Sequence, residues 1–259
     1  MASDGTRIPI SLVYHRDTKP SAETPLYLYG YGAYGISLDP WFSHARLSLL
    51  NRGFVFAIAH ARGGGDCGEN WHEQGKLHYK ENTFNDFIAC GEFLISKNFT
   101  SAKKLVIAGG SAGGLLMGAV LNKRSDLFAG AVADVPFVDC LNTMLDSTLP
   151  VTIGEYEEWG NPEADASAYQ DIAAYAPYEQ VKQQNYPALL ITAGLNDPRV
   201  PYWEPAKWCA KLRVSKANQT PLLLKTELSA GHGGPSGRFA AYREVAFEYA
   251  FLLKVLGMV

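Results

Sequence analysis

The chain has 259 residues, of which 47% are hydrophobic and 19% are charged, and its formal net charge is −3. This apolar content supports a large core and excludes a disordered chain. The near balance of acidic and basic residues argues against binding to nucleic acid or to an anionic membrane, because proteins of both kinds carry a basic excess.

The sequence also argues against targeting and membrane-spanning segments. The N-terminal residues lack the basic and apolar segments of a signal peptide, so we expect none. The uncharged run 105–121 has glycines at its centre. That pattern predicts a strand, a tight turn and a buried helix instead of a membrane span.

Short apolar runs alternate with helical patterns along most of the chain. The predicted strands cover residues 8–14, 26–31, 54–59, 105–108, 130–135, 188–193 and 222–228. Helices are predicted at 39–51, with Asp39 as its N-cap, at 83–97, just past Ser111, at 203–214 and at 238–256. This alternation predicts an α/β fold with a mostly parallel sheet and helices on both faces, in which ligands bind beyond the carboxyl ends of the strands. The segment 139–185 breaks the alternation and is a candidate substrate-binding insertion.

The cysteines and the short motifs predict neither a metal nor a cofactor. The four cysteines are far apart and form no C-x-x-C pair, which predicts reduced thiols and a cytoplasmic setting. His72-Glu73 lacks a second histidine four residues after the first, as a zinc-peptidase motif would require. Residues 30–35 fit G-x-G-x-x-G as letters but lack the βαβ context of a dinucleotide site.

Residues 109–114, Gly-Gly-Ser-Ala-Gly-Gly, contain the G-x-S-x-G pattern between an apolar strand and a helical run. Such a sharp turn exposes a serine hydroxyl at a helix N-terminus, which identifies Ser111 as a candidate nucleophile. The backbone N–H of Ala112 can then donate to an oxyanion. The alternative is a glycine-rich packing turn without chemistry.

A nucleophilic serine needs a base, and the base needs an orienting acid. Only one histidine, His232, follows Ser111 in the sequence, in a glycine-flanked loop after a predicted strand. Asp197 follows the strand at 188–193 and is the candidate acid. Asp134 and Asp139 remain competitors for that role.

Several longer stretches around these residues resemble the prolyl oligopeptidase family of serine peptidases, and within it the oligopeptidase B branch. The stretches that carry the resemblance are 29–32, 62–65, 82–86, 135–139, 154–162, 202–208 and 229–239. The resemblance implies an α/β-hydrolase fold, with residues 1–259 as a single peptidase catalytic domain.

The resemblance also implies roles for particular residues. Ser111, Asp197 and His232 correspond to the catalytic triad of the family. The hydroxyl of Tyr31 would join the Ala112 N–H in the oxyanion hole. Without the resemblance, Tyr31 could equally be a packed strand aromatic.

Three further positions resemble substrate contacts of the family. Arg199 matches a position that holds a substrate backbone carbonyl. Glu155 and Glu157 match carboxylates that bind a basic side chain, and Glu158 is a less convincing neighbour. From the residues alone, these glutamates could also form an ordinary solvated turn.

The chain departs from the family in two respects. Asp39 matches the first of two acidic residues that favour a second basic substrate residue, but Trp41 occupies the second position. Family members also carry an N-terminal β-propeller that caps the site, and this sequence resembles the part that follows it. We therefore expect either an excised domain or a natural short form.

Together these patterns predict a serine-type oligopeptidase that cleaves short peptides after Arg or Lys. A prolyl-specific oligopeptidase and a carboxylesterase would share the same triad and stay as alternatives. A non-catalytic interaction module is the third possibility.

Overall fold

The computed structural model describes residues 1–259, and its seven strands form one sheet with the order β1-β3-β2-β4-β5-β6-β7. The strands are β1 (Ile10–Tyr14), β2 (Leu26–Tyr29), β3 (Val55–Ala59), β4 (Leu105–Gly110), β5 (Gly130–Asp134), β6 (Ala188–Gly194) and β7 (Leu222–Glu227). Only β1 pairs antiparallel with its neighbour, and all other pairs are parallel. The carboxyl ends of β2 to β7 therefore meet at one edge of the sheet.

Nine α-helices connect and cover the strands. They are α1 (Arg46–Leu50), α2 (Glu69–Glu73), α3 (Glu81–Ser96), α4 (Ala112–Arg124), α5 (Cys140–Leu145), α6 (Tyr156–Trp159), α7 (Ala166–Tyr175), α8 (Trp203–Ser215) and α9 (Arg238–Val255). Short 3-10 turns cover Leu77–Tyr79, Ser125–Leu127 and Thr152–Glu155. No helix combines the length and the apolar character that crossing a bilayer would require.

All seven predicted strands are present, with small shifts at their ends. The predicted helix at 39–51 is wrong in its first half, because α1 begins only at Arg46. Asp39 is exposed and caps no helix. Asp-Pro is a common helix start, but here the chain from Leu38 runs on as an irregular loop. The segment 139–185 does interrupt the alternation, since it holds three helices and no strand.

The core lies on both faces of the sheet, which confirms the predicted layering. On one face, 39 buried residues join the sheet to α3, α4, α7 and α8. On the other face, 15 buried residues join it to α1 and α9. Alternate residues of each strand point to opposite faces, so Ile107 belongs to the first cluster and Val106 to the second.

A buried ion pair holds the loop after β3 against α3. The guanidinium of Arg62 donates to Asp86 from Nε at 2.8 Å and from Nη2 at 2.6 Å. The Arg62 backbone N–H donates to the same carboxylate at 3.0 Å. Nη1 of the guanidinium donates a third hydrogen bond to Asp4 Oδ2 at 2.7 Å, and the Asp4 side chain is partly exposed. The side chain of Arg62 is only 3% exposed, so its charge depends on these partners.

We expect the Asp86→Ala variant to lose about 3–5 kcal/mol of unfolding free energy, because it leaves a buried guanidinium without its main partner. Asp4→Asn is the matched control and should lose no more than about 1 kcal/mol, since that carboxylate is near the surface. Denaturant unfolding of both variants measures the difference. Equal losses in the two variants would contradict this account of the ion pair.

Candidate active site

Ser111 stands on a strained turn between β4 and α4. Its backbone has φ 56° and ψ −118°, an uncommon conformation for a residue with a side chain. The turn has no room for Cβ atoms on either side. A Cβ at Gly109 would lie 2.4 Å from the Gly113 carbonyl oxygen, and a Cβ at Gly113 would lie 2.8 Å from that of Gly30. These glycines therefore allow the turn to pack closely against Gly30, the residue just past β2.

The turn places two hydrogen-bond donors near the Ser111 hydroxyl. Helix α4 begins at Ala112, whose N–H is one of the first amides of the helix and has no acceptor within it. Tyr31, two residues beyond β2, lines the same cavity as Ser111. Burial raises the pKa of Tyr31 to about 12, although a hydrogen bond to Ser111 acts in the opposite direction. The phenol is therefore a donor at neutral pH.

Asp197 and His232 meet in the loops after β6 and β7. His232 Nδ1 lies 2.7 Å from Asp197 Oδ2, and the Asp197 side chain is fully buried. The other carboxylate oxygen accepts the backbone N–H groups of Arg199 at 2.8 Å and Val200 at 2.9 Å. With the carboxylate held in this way, a neutral imidazole donates from Nδ1 and keeps Nε2 as a proton acceptor.

Ser111 and His232 both adjoin the carboxyl end of β5, but no hydrogen bond joins their side chains in this structure. The Ser111 backbone N–H donates to the Asp134 carbonyl oxygen at 2.8 Å. Asp134 and Val135 line a cavity of about 330 Å³ together with His232. Neither Asp134 nor Asp139 contacts the histidine through a hydrogen bond, so among the three candidate acids only Asp197 partners it.

A separate cavity of about 260 Å³ is lined by Ser111. Glu155 is the only acidic residue in its wall, and Arg199 is the only basic one. Its remaining wall is mostly apolar, with contributions from Phe137, Met144 and Val200. An apolar wall with a few charged groups is typical of a ligand-binding cavity.

The structure does not bring the other two acidic candidates into this cavity. Glu157 lies exposed on α6 and has no hydrogen-bonded side-chain partner, while Asp39 is exposed in the loop before α1. The neighbour Glu158 is buried instead. In a short helix, successive side chains point in different directions, so sequence proximity alone could not separate the three glutamates.

Glu158 anchors the segment that carries Glu155. Its Oε2 bonds to His72 Nε2 at 2.7 Å, and its Oε1 accepts the backbone N–H of Tyr34 at 3.0 Å. The ammonium of Lys80 lies 3.8 Å from Oε1 and donates to the Gly32 carbonyl oxygen at 2.7 Å. Burial lowers the pKa of Lys80 to about 8, although Glu158 acts in the opposite direction. These bonds tie the loop after β2 to α6.

One cluster of potential metal ligands lies near this anchor. Ligand atoms of Glu69, His72 and Glu73 fall within 4.8 Å of one another. His72 is already bonded to Glu158, and Glu73 pairs with Lys76 at 2.6 Å. Two of its three members are therefore already bonded to neighbouring side chains.

The geometry defines an α/β-hydrolase fold: a mostly parallel sheet, a serine on a sharp strand-to-helix turn, and an acid–histidine pair after later strands. Comparison with known proteins gives the family. The model of the prolyl oligopeptidase family matches residues 40–259, and the chain belongs to that family.

Two curated relatives and two solved structures are similar over nearly the whole chain. Protease 2 of Moraxella lacunata is 48% identical over 98% of this chain, and dipeptidyl aminopeptidase BI of Pseudoxanthomonas mexicana is 46% identical over 99%. Oligopeptidase B from Leishmania major superposes with a TM-score of 0.97 at 48% identity, covering 99% of this chain. That from Trypanosoma brucei superposes with a TM-score of 0.96 at 50% identity, again over 99% of this chain. The chain spans only 36–37% of the length of these four proteins.

A buried carboxyl lies behind the cavity wall. Glu204 is fully buried and accepts from the Thr143 hydroxyl at 2.7 Å and from the Asp139 N–H at 2.9 Å. Thr143 itself lines the Ser111 cavity. Burial raises the pKa of Glu204 to about 8, which outweighs the opposite effect of these two bonds.

This raised pKa predicts a pH dependence of stability. The carboxyl contributes stability below its unfolded pKa of 4.5, and that stability is lost as the pH rises through about 8. The Glu204→Gln variant cannot ionise, and its amide can still pair with Thr143 and Asp139. We expect the wild type to lose unfolding free energy between about pH 5 and 8 while the variant does not. The unfolding free energy of the variant minus that of the wild type should therefore rise across this range, as measured by denaturant unfolding. A constant difference across that range would contradict the prediction.

Proposed function

We propose that residues 1–259 act as one serine peptidase catalytic domain that hydrolyses short peptides after Arg or Lys. One observation carries the proposal: the strained Ser111 turn opens into a cavity whose only carboxylate is Glu155. The bonded pair of Asp197 and His232 after the later strands supports the same chemistry.

The proposed reaction begins when His232 Nε2 takes the proton of the Ser111 hydroxyl and Oγ bonds to the scissile carbonyl carbon. The oxyanion that forms accepts hydrogen bonds from the Ala112 N–H and the Tyr31 hydroxyl. His232 then gives its proton to the leaving amine as the C–N bond breaks. Water hydrolyses the acyl-enzyme by the same steps, and Asp197 stabilises the imidazolium throughout.

This sequence of steps requires His232 to come within hydrogen-bond distance of Ser111. Such bonds are often long before substrate binds and shorten in the reacting complex. The histidine stands in a glycine-flanked loop, Gly231 to Gly234, which is compatible with a small adjustment. The Trypanosoma brucei relative was solved with covalently bound antipain, which supports a covalent route in this family.

The proposed preference for basic residues rests on the Glu155 carboxylate. A guanidinium or ammonium in a largely apolar cavity needs a charged acceptor, and charge-assisted bonds of this kind are strong. Arg199 is exposed at the cavity wall, so it can reach a substrate carbonyl oxygen. Two related solved structures are named oligopeptidase B, which supports the same assignment.

The setting of the domain is part of the same proposal. All four cysteines are free thiols and three are buried, which suits a reducing, cytoplasmic compartment. Since the chain spans 36–37% of its relatives, we propose that a β-propeller domain would cap the site in a full-length family member.

Replacing the nucleophile tests the chemistry. We expect Ser111→Ala to lower kcat on the order of 10⁴-fold or more, because no other group can form the acyl-enzyme. The measurements are hydrolysis of an arginyl reporter peptide and covalent labelling with a fluorophosphonate. Ser125→Ala, a serine outside the cavity, is the matched control and should keep both signals. Wild-type turnover or labelling in Ser111→Ala would show that the nucleophile lies elsewhere, and an inert wild-type domain would favour the interaction module.

Paired reporter peptides test the specificity. Arginine and citrulline have nearly the same shape and differ in charge, so the ratio of their kcat/KM values measures the effect of the carboxylate. We expect Glu155→Gln to lower this ratio about 10- to 100-fold, because a charge-assisted bond becomes a neutral one. Glu157→Gln, whose carboxylate is outside the cavity, should leave the ratio within about twofold of wild type. A preference for prolyl reporters over arginyl ones would instead favour the prolyl-specific alternative.

A further inference from the structure

We propose that Tyr34 and Trp159 are positioning residues that hold the Glu155 carboxylate in the orientation needed to select a basic side chain. The inference rests on the role of Glu155 in the proposed function and deepens it. It identifies which groups outside the triad determine how strongly the cavity prefers a cation.

Glu155 Oε2, the Tyr34 hydroxyl oxygen and Trp159 Nε1 lie within hydrogen-bond distance of one another. The Tyr34 hydroxyl donates to Glu155 Oε2 at 2.7 Å. The Trp159 indole Nε1 donates to the same oxygen at 3.1 Å and also lies 3.1 Å from the Tyr34 hydroxyl oxygen. The two rings meet edge to face, with centroids 5.8 Å apart. The carboxylate is therefore fixed by two donors that are also in contact with each other.

Both donors are themselves held by buried groups. Tyr34 has φ 59°, which a non-glycine residue keeps only when its surroundings enforce it. Its backbone N–H donates to the buried Glu158 carboxylate at 3.0 Å. Trp159 is 2% exposed, and the Lys80 ammonium lies 4.7 Å from the centre of its ring. The Trp159 side chain therefore cannot move away from Glu155 without leaving its buried position. Tyr34 is 38% exposed, and it is held by its backbone and by the edge-to-face contact of its ring with Trp159.

The two donors also decide which carboxylate oxygen remains for a ligand. A carboxylate oxygen has two lone pairs, and Oε2 already accepts two hydrogen bonds. Oε1 is thus the oxygen available to a cation in the cavity. The phenol remains a donor at neutral pH, because burial and then the adjacent Glu155 carboxylate raise the pKa of Tyr34.

The test uses Tyr34→Phe and Trp159→Phe, which remove each donor and keep an aromatic ring. We expect each variant to lower the ratio of arginine to citrulline kcat/KM about three- to tenfold, mainly through a higher KM for the arginyl reporter. This magnitude corresponds to a typical net hydrogen bond, because the carboxylate keeps its second donor in each variant. Tyr79→Phe, an exposed tyrosine outside the cavity, is the matched control and should keep the wild-type ratio.

The ratio separates positioning from a general structural role. A variant that only loosens the fold would lower kcat/KM for both reporters alike and leave the ratio unchanged. Unchanged ratios in both Tyr34→Phe and Trp159→Phe would overturn the inference. Measuring Glu155→Gln in parallel separates failure of the positioning role from failure of the proposed specificity. If that variant lowers the ratio while the aromatic variants do not, only the positioning role fails; if it leaves the ratio unchanged, the proposed specificity fails and the inference fails with it.

Discussion

The close approach of three backbone segments at the Ser111 turn is the constraint on which the rest of the site depends. Gly109 and Gly113 bring the end of β4 and the start of α4 closer to each other, and to the Gly30 carbonyl just past β2, than a Cβ on either glycine would permit. This approach forces Ser111 into its strained conformation and brings Tyr31 to the same cavity. A parallel sheet supplies the frame, because it carries the later acid–histidine pair to the same edge.

Behind this turn, buried charges determine the shape of the substrate side of the site. Arg62 with Asp86 secures the loop after β3, while Lys80 and Glu158 secure the loop after β2 and helix α6. Burying these charges carries a desolvation cost, and their hydrogen bonds offset it only in one arrangement. The loops that carry the cavity wall consequently have a defined geometry although they contain little regular secondary structure.

The sequence was most informative where the chemistry depends on local patterns. The alternation of apolar runs predicted every strand, and G-x-S-x-G between a strand and a helix predicted the turn at Ser111. It failed where local preference competed with packing. Asp39-Pro40 has the form of a helix start, yet the chain stays irregular up to Arg46. Tyr34 gave no separate signal, because its position relative to Glu155 arises from residues 121 positions apart.

The sequence by itself determined the fold class, the family resemblance and the residues able to act as nucleophile, base and acid. These depend on residue type, periodicity and chain order, which can be identified from the sequence without a structure. Only the tertiary structure decided that Glu155 faces the cavity while Glu157 is exposed and Glu158 is a buried anchor. The same holds for the contact that distinguishes Asp197, which alone among the three candidate acids is hydrogen-bonded to His232. The physical reason is that side-chain direction in short helices and loops is set by long-range contacts, and those contacts exist only once the chain has folded.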